Sequence, residues 1–200
     1  LGKSINTSLM EFNAADIFEG VVDRVPEREA VVYGSTRLTY KELDARSNKA
    51  ANALKKIGIK KGSHIGIYAF NCIEWLEIML GAYKLCAIPI NINYRYVEEE
   101  LKYLIDNADI EAIFYQKQFS TKLNNIKNDL PLLKDFVSID DGTDSSDIVE
   151  NNLDFEGLIA NESESRLTVE RSGDDQYILY TGGTTGMPKG VVWRMEDVLM

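Results

Sequence analysis

Between residues 65 and 139 short, wholly apolar runs alternate with segments of helical period, and this alternation limits the chain to one class of fold. Ile65 to Phe70 and Ala87 to Ile92 read as buried strands, as do Ala112 to Tyr115 and Phe136 to Ile139. Between them, the segment through Trp75, Leu76, Ile78, Met79, Leu80 and Tyr83 is apolar on every side, which makes it a central helix. Val97 to Asn107 reads as a helix with Val97, Leu101, Leu104 and Ile105 on one face, and a polar helix is expected between Gln116 and Leu133. Strands that are apolar on both faces and separated by helices belong to a parallel sheet covered on both sides. The expected fold is therefore α/β, a parallel-rich sheet with helices on both faces.

Ahead of this block, a helix is expected from Ala14 to Val25, ended by Pro26. Strands follow at Ala30 to Tyr33 and Thr36 to Thr39, with Gly34 and Ser35 at the turn. Tyr40 to Ile57 is an amphipathic helix, its Leu43, Ser47, Ala50, Leu54 and Ile57 falling on one face and Gly58 closing it. Asp140 to Asn152 and Asn161 to Ser165 are rich in Asp, Ser, Gly and Asn and read as surface loops around a short helix from Leu153 to Ile159; a linker is the competing reading. The apolar run beyond them favours a domain that continues. No internal repeat is visible.

The densest chemical signal lies at residues 180 to 191, Tyr-Thr-Gly-Gly-Thr-Thr-Gly-Met-Pro-Lys-Gly-Val. Gly182, Gly183, Gly186 and Gly190 let the backbone approach a polyanion, while Thr181, Thr184, Thr185 and Lys189 supply hydroxyls and one cation. That combination suits a triphosphate. Flanking runs, Tyr177 to Tyr180 and Val191 to Trp193, are rich in aromatic and β-branched residues, so the loop should join two strands. In the phosphate loop G-x-x-x-x-G-K-[ST] the Lys follows a Gly directly, whereas Lys189 follows Pro188, so that motif is absent here. A plain glycine-rich hairpin is the bland alternative, but its turn needs only about two to five residues.

At these residues the chain resembles the adenylate-forming, AMP-binding enzymes, whose loop commonly reads Tyr-Thr-Ser-Gly-Thr-Thr-Gly-x-Pro-Lys-Gly-Val. Gly182 replaces the Ser, which is similar to the fatty-acyl-CoA synthetase branch. Arg171-Ser172-Gly173-Asp174-Asp175 and Trp193-Arg194 resemble a subgroup acting on fatty or sterol side-chain acids, and Met195 stands where relatives often carry His. Leu38-Thr39-Tyr40-Lys41-Glu42-Leu43 resembles the family's first core motif and Gly81 to Asn91 its second.

The resemblance implies ATP-dependent activation of a carboxylic acid to an acyl-adenylate, followed by transfer to coenzyme A, with Mg²⁺ as cofactor. It assigns phosphate binding to Thr181, Gly182, Gly183, Thr184, Thr185, Gly186 and Lys189, charge neutralisation in catalysis to Lys189, and a Mg²⁺ contact to the Thr181 hydroxyl. Members of that family run well beyond Met200, so residues 1–200 are expected to be the N-terminal portion of an AMP-binding domain. The alternative is a non-catalytic fragment that folds or dimerises and at most binds nucleotide weakly.

Composition agrees with a folded globular protein: 44% of residues are hydrophobic and 27% charged, with a net charge of −10. That acidity disfavours a nucleic-acid partner. No apolar stretch is long enough to span a membrane and no signal-peptide pattern opens the chain, so a cytoplasmic location is expected. Cys72 and Cys86 lie among apolar residues and read as buried thiols, and His64 as a surface residue at the start of a strand. Asn93-Tyr94-Arg95 could touch a ligand or serve as structural hydrogen-bonding groups. Glu98, Glu99 and Glu100 suit the first turn of a helix through its dipole, and Trp75 and Met79 read as core.

Overall fold

The computed structural model of the chain describes residues 13–144, 147–181 and 186–199. Helix α1 (Ala14–Arg24) is capped by Asn13, whose side chain accepts the Ala15 N–H at 2.9 Å. Strands β1 (Glu29–Tyr33) and β2 (Thr36–Thr39) form an antiparallel hairpin. Helix α2 (Tyr40–Lys56) opens with a capping box in which Thr39 and Glu42 satisfy each other's backbone N–H groups.

Five parallel strands form the central sheet: β3 (His64–Tyr68), β4 (Ile88–Asn91), β5 (Ile110–Gln116), β6 (Asp135–Ile139) and β7 (Leu153–Asp154). Their order is β4-β3-β5-β6-β7. Side chains alternate between two cores. In β5, Ile113 and Tyr115 enter one, together with Leu101, Leu104 and Ile105 of α4 (Glu98–Asn107) and Leu123 and Ile126 of α5 (Ser120–Ile126). Ala112 and Phe114 enter the other, against α2, α3 (Ile73–Leu85) and α6 (Phe155–Ile159). The sheet is thus covered on both faces, as the apolar runs require.

Some expected boundaries shift. Strand β3 ends at Tyr68 instead of Phe70, because the Phe70 N–H leaves the ladder and donates to Gln116 Oε1 at 3.0 Å. Leu153 and Asp154, expected to open a helix, form β7; the Asp154 side chain caps the Gly157 N–H at 2.9 Å, so α6 starts only at Phe155. The polar helix is broken by 3-10 turns at Lys117–Phe119 and Lys127–Asp129. Residues 147–152, just before β7, are tethered and form no free linker: Val149 is buried in the first core and Asn152 donates to Ser138 Oγ at 2.8 Å. His64 opens β3 half-buried, with Nδ1 2.7 Å from the Ala108 carbonyl.

Helices α2 and α3 pack closely at Gly81. A Cβ added at Gly81 would lie 2.8 Å from Ala50 Cβ, 3.0 Å from the Ala51 nitrogen and 3.1 Å from the Ser47 carbonyl oxygen. One turn further along α3, Lys84 is fully buried and its Nζ lies 2.7 Å from both Glu19 of α1 and Asp44 of α2. Arg171 pairs with Asp16 at 2.6 Å and Glu19 at 2.8 Å, and Arg166 pairs with Asp23 at 2.8 Å and Asp44 at 3.3 Å. One turn before Gly81, the buried Glu77 is held by Arg46, which also reaches Glu156. Burial raises the Glu77 pKa even against the Arg46 charge.

Two measurements check this crossing. Gly81→Ala should cost about 1–3 kcal/mol in urea unfolding, because two of the three nearest atoms are backbone and cannot move aside. Lys84→Met should cost about 3 kcal/mol at pH 7, since it strands carboxylates that are already desolvated. Burial acts to raise the Glu19 pKa, but hydrogen bonds and charges from Arg171 and Lys84 outweigh it, and the net value is lowered. A lowered carboxyl contributes stability above its unfolded pKa of about 4.3 and loses it as pH falls through the folded value. The gap between wild type and Lys84→Met should therefore narrow below about pH 4.

Candidate functional site

The glycine- and threonine-rich segment does join two strands. Strands β8 (Gln176–Thr181) and β9 (Lys189–Arg194) pair antiparallel, and the pair nearest the loop is Thr181 opposite Lys189. The hydroxyl and the cation expected to face a phosphate are therefore set opposite each other at the base of the loop. Gly182, Gly183, Thr184 and Thr185 lie outside the described residues. Gly186 has φ 132°, a conformation that side chains rarely adopt, and no atom of the described residues lies within 4 Å of where its Cβ would be; backbone shape calls for glycine there. Pro188 is buried at the loop's exit, and its preset φ suits that position. Lys189 is exposed and pairs with no carboxylate among the described residues, so its charge stays available to an incoming anion.

The hairpin is fixed to the body at both ends. Strand β8 lies against β4, with Ile178 and Tyr180 in the first core and Tyr177 against a small cluster of Ala15, Tyr83 and Met195. Met195, which opens α7 (Met195–Leu199), is 3% exposed and fills that cluster. Its role here is packing between α1 and α3. The Arg171 to Asp175 turn receives the far end of β9: the Met195 N–H donates to the Asp175 carbonyl at 2.7 Å, and Arg194 pairs with Asp174 at 2.9 Å. Asp175 in turn accepts the Ser172 N–H at 2.9 Å and the Asn13 side chain at 3.0 Å, and pairs with Lys61 at 2.8 Å.

Beside the loop's base, at the carboxyl ends of β3 and β4, lies a crevice of about 260 Å³ lined by Asn71, Asn91, Asn93, Tyr94, Tyr96 and Tyr180. Ligands of open α/β sheets sit at this edge. The structure thus brings Asn93 and Tyr94 to the same crevice as Tyr180. Arg95 is exposed and lies over the Tyr94 ring at 5.0 Å, and its N–H donates to Asn93 Oδ1 at 3.0 Å. Glu98, Glu99 and Glu100 occupy the first turn of α4, where Glu100 accepts the Val97 N–H at 3.1 Å. Trp75 and Met79 are half-buried against the second core.

Asn107, the last residue of α4, was not singled out by the sequence. Its Oδ1 accepts the Tyr180 hydroxyl at 2.9 Å. An Asn at a helix end reads as a capping residue, and nothing local announces a partner 73 positions away.

Residues 18–200 match the AMP-binding enzyme family, and the chain belongs to it. It is 44% identical over 189 residues to a 3-oxocholest-4-en-26-oate–CoA ligase of Rhodococcus rhodochrous, covering 94% of this chain and 34% of that relative. It is also 44% identical over 190 residues to a medium/long-chain-fatty-acid–CoA/3-oxocholest-4-en-26-oate–CoA ligase of Mycobacterium marinum, covering 93% and 34%. Among solved structures it matches the anthranilate CoA ligase AuaEII in complex with anthranoyl-AMP, with TM-score 0.86 and 25% identity, over 94% of this chain and 36% of that one. The N-terminal domain of FACL13 from Mycobacterium tuberculosis matches with TM-score 0.83 and 26% identity, over 95% and 46%. The chain spans about a third of the length of the curated relatives it matches, 34% in each of these two.

Burial pushes the thiols of Cys72 and Cys86 up to about 12, which leaves neither available as a nucleophile near neutral pH. A disulfide reagent at pH 8 should accordingly label both more slowly than free cysteine, by on the order of 10³, until the protein is unfolded.

Proposed function

We propose that the protein carrying this chain is a fatty-acyl-CoA synthetase that activates a fatty acid or sterol side-chain acid with ATP and transfers the acyl group to coenzyme A. The observation that carries the reading is the 44% identity with a 3-oxocholest-4-en-26-oate–CoA ligase over 94% of this chain. The hairpin chemistry supports it. Residues 1–200 then form the N-terminal portion of the AMP-binding domain.

In the first half-reaction a carboxylate oxygen attacks the α-phosphorus of ATP and the bond to pyrophosphate breaks, the leaving group taking the electron pair. In the second, the sulfur of coenzyme A attacks the acyl carbon and the bond to AMP breaks. Negative charge concentrates on the departing pyrophosphate, so a fixed cation and oriented donors around the β and γ phosphates lower the first barrier. Lys189 supplies the cation. Thr181, Gly182, Gly183, Thr184, Thr185 and Gly186 supply hydroxyl and backbone donors.

Mg²⁺ bound with the nucleotide neutralises phosphate charge, and the Thr181 hydroxyl is a hard oxygen of the type that ion takes. Among the described residues no cluster of three or more His, Cys, Asp or Glu side chains could hold a metal. The proposal places the enzyme in the cytoplasm, and no helix among the described residues is long and apolar enough to cross a membrane. It includes a homodimer.

Lys189→Ala in the full-length protein tests the assignment. Carboxylate-dependent exchange of pyrophosphate into ATP should fall on the order of 10²–10³. Thioester formation from pre-formed acyl-adenylate, which contains no β or γ phosphate, should fall much less. Equal loss in both halves would assign Lys189 to the fold or to the AMP moiety.

A further inference from the structure

Directly behind the closing pair of the loop, Tyr180 lies opposite Gly190. The Tyr180 ring covers that glycine: a Cβ at residue 190 would lie 2.9 Å from Cζ and 3.0 Å from Cε2 of the ring. Residue 190 must therefore be glycine for the ring to lie across the partner strand. The same ring sends its hydroxyl to Asn107 Oδ1 at the end of α4, 2.9 Å away. Burial raises the Tyr180 pKa, so the phenol stays neutral and able to donate.

Strand β9 is exposed along its whole length, and packing from above therefore does not hold the loop's second arm. It is held by the ladder to β8 and, at its far end, by the Asp175 turn. Near the loop, the last side chain of β8 attached to the body is Tyr180.

We infer that Tyr180, Gly190 and Asn107 form a clamp that positions the phosphate loop, acting through Thr181 and Lys189 and not on substrate themselves. The hydroxyl of Tyr180 ties the base of the loop to α4, and the ring pressed on Gly190 carries that tie across to the Lys189 strand. This inference rests on the proposed reaction for its effect on turnover, but its structural part does not.

The test compares Tyr180→Phe, Asn107→Leu, Asn107→Asp and the double variant Tyr180→Phe/Asn107→Leu in the full-length protein. Hydrogen exchange of the peptide spanning residues 177–194 should quicken in Tyr180→Phe and in Asn107→Leu, and not in Asn107→Asp, which keeps the acceptor oxygen. Pyrophosphate exchange into ATP should lose about 5-fold in kcat in each of the first two variants, the effect of one hydrogen bond. The KM for the carboxylate should hold, and the double variant should be no worse than the worse single.

Unchanged hydrogen exchange in Tyr180→Phe overturns the clamp, as do additive losses in the double variant. Equal loss in adenylation and in thioester formation from pre-formed acyl-adenylate also overturns it, because a general loss of stability would do that. Should wild type show no carboxylate-dependent exchange activity, the proposed reaction falls, and the hydrogen-exchange comparison still decides the clamp.

Discussion

The approach of α3 to α2 at Gly81 is the constraint on which the rest of the structure depends. With the Gly81 Cα directly against Ala50, Ala51 and the Ser47 carbonyl, the two helices are too close for any larger side chain between them. That proximity brings the buried Lys84 within reach of Asp44, and Glu77 within reach of Arg46. Desolvating a lysine is costly unless partners meet it in a favourable geometry, and here a carboxylate from α1 and another from α2 do so at 2.7 Å each. The ionic cluster is thus specific to this crossing. A different helix angle would leave the same charges buried and unpaired.

From this cluster a continuous line of contacts runs to the hairpin. Glu19 is shared between Lys84 and Arg171, and Arg171 begins the turn whose Asp175 accepts the first N–H of α7. Met195 then packs on Ala15 and Tyr83, returning the line to α1 and α3. The far end of β9 is therefore referenced to the helical layer, while Tyr180 references the loop end to α4 on the opposite side of the sheet. The base of the hairpin is thus carried between the two layers. Binding residues placed on a loop need such a scaffold to be held in geometry.

Much of this was legible in the residues and some was not, for physical reasons. The parallel sheet was readable because strands buried on both faces must be apolar throughout, as Ile65 to Tyr68 and Ile113 to Tyr115 are. The hairpin was readable because its glycines and threonines are local in sequence. Strand β7 was not: it has two residues, Leu153 and Asp154, and its pairing with β6 is a tertiary event without a periodic signal. The buried charges were also missed, since Glu77 and Lys84 taken singly look like solvated positions of a helix. Read together with Gly81 they fall at i, i+4 and i+7 on one face, and polar residues aligned with a glycine in an otherwise apolar helix mark a close crossing with an ionic partner. Asn107 gave no comparable signal, because its partner lies on a distant strand.

The contrast between the two sets of charges explains how one fold serves both stability and chemistry. Lys84, Arg171 and Arg46 each meet carboxylates of the same chain, so their charge is already neutralised and locks helices in place. Lys189 is exposed and meets none among the described residues, and Thr181 stands opposite it with its hydroxyl carried on an exposed residue. A cation with no carboxylate partner among the described residues ties no elements together, and it raises the local affinity for anions. Residues 1–200 carry a net charge of −10, so in the proposed reaction their attraction for a polyphosphate is short-range and comes from this cation and oriented donors. Glycine at 186 and 190 allows that geometry, the first by backbone conformation and the second by leaving room for the Tyr180 ring. The anchoring of the hairpin then decides how well those few groups can be aimed.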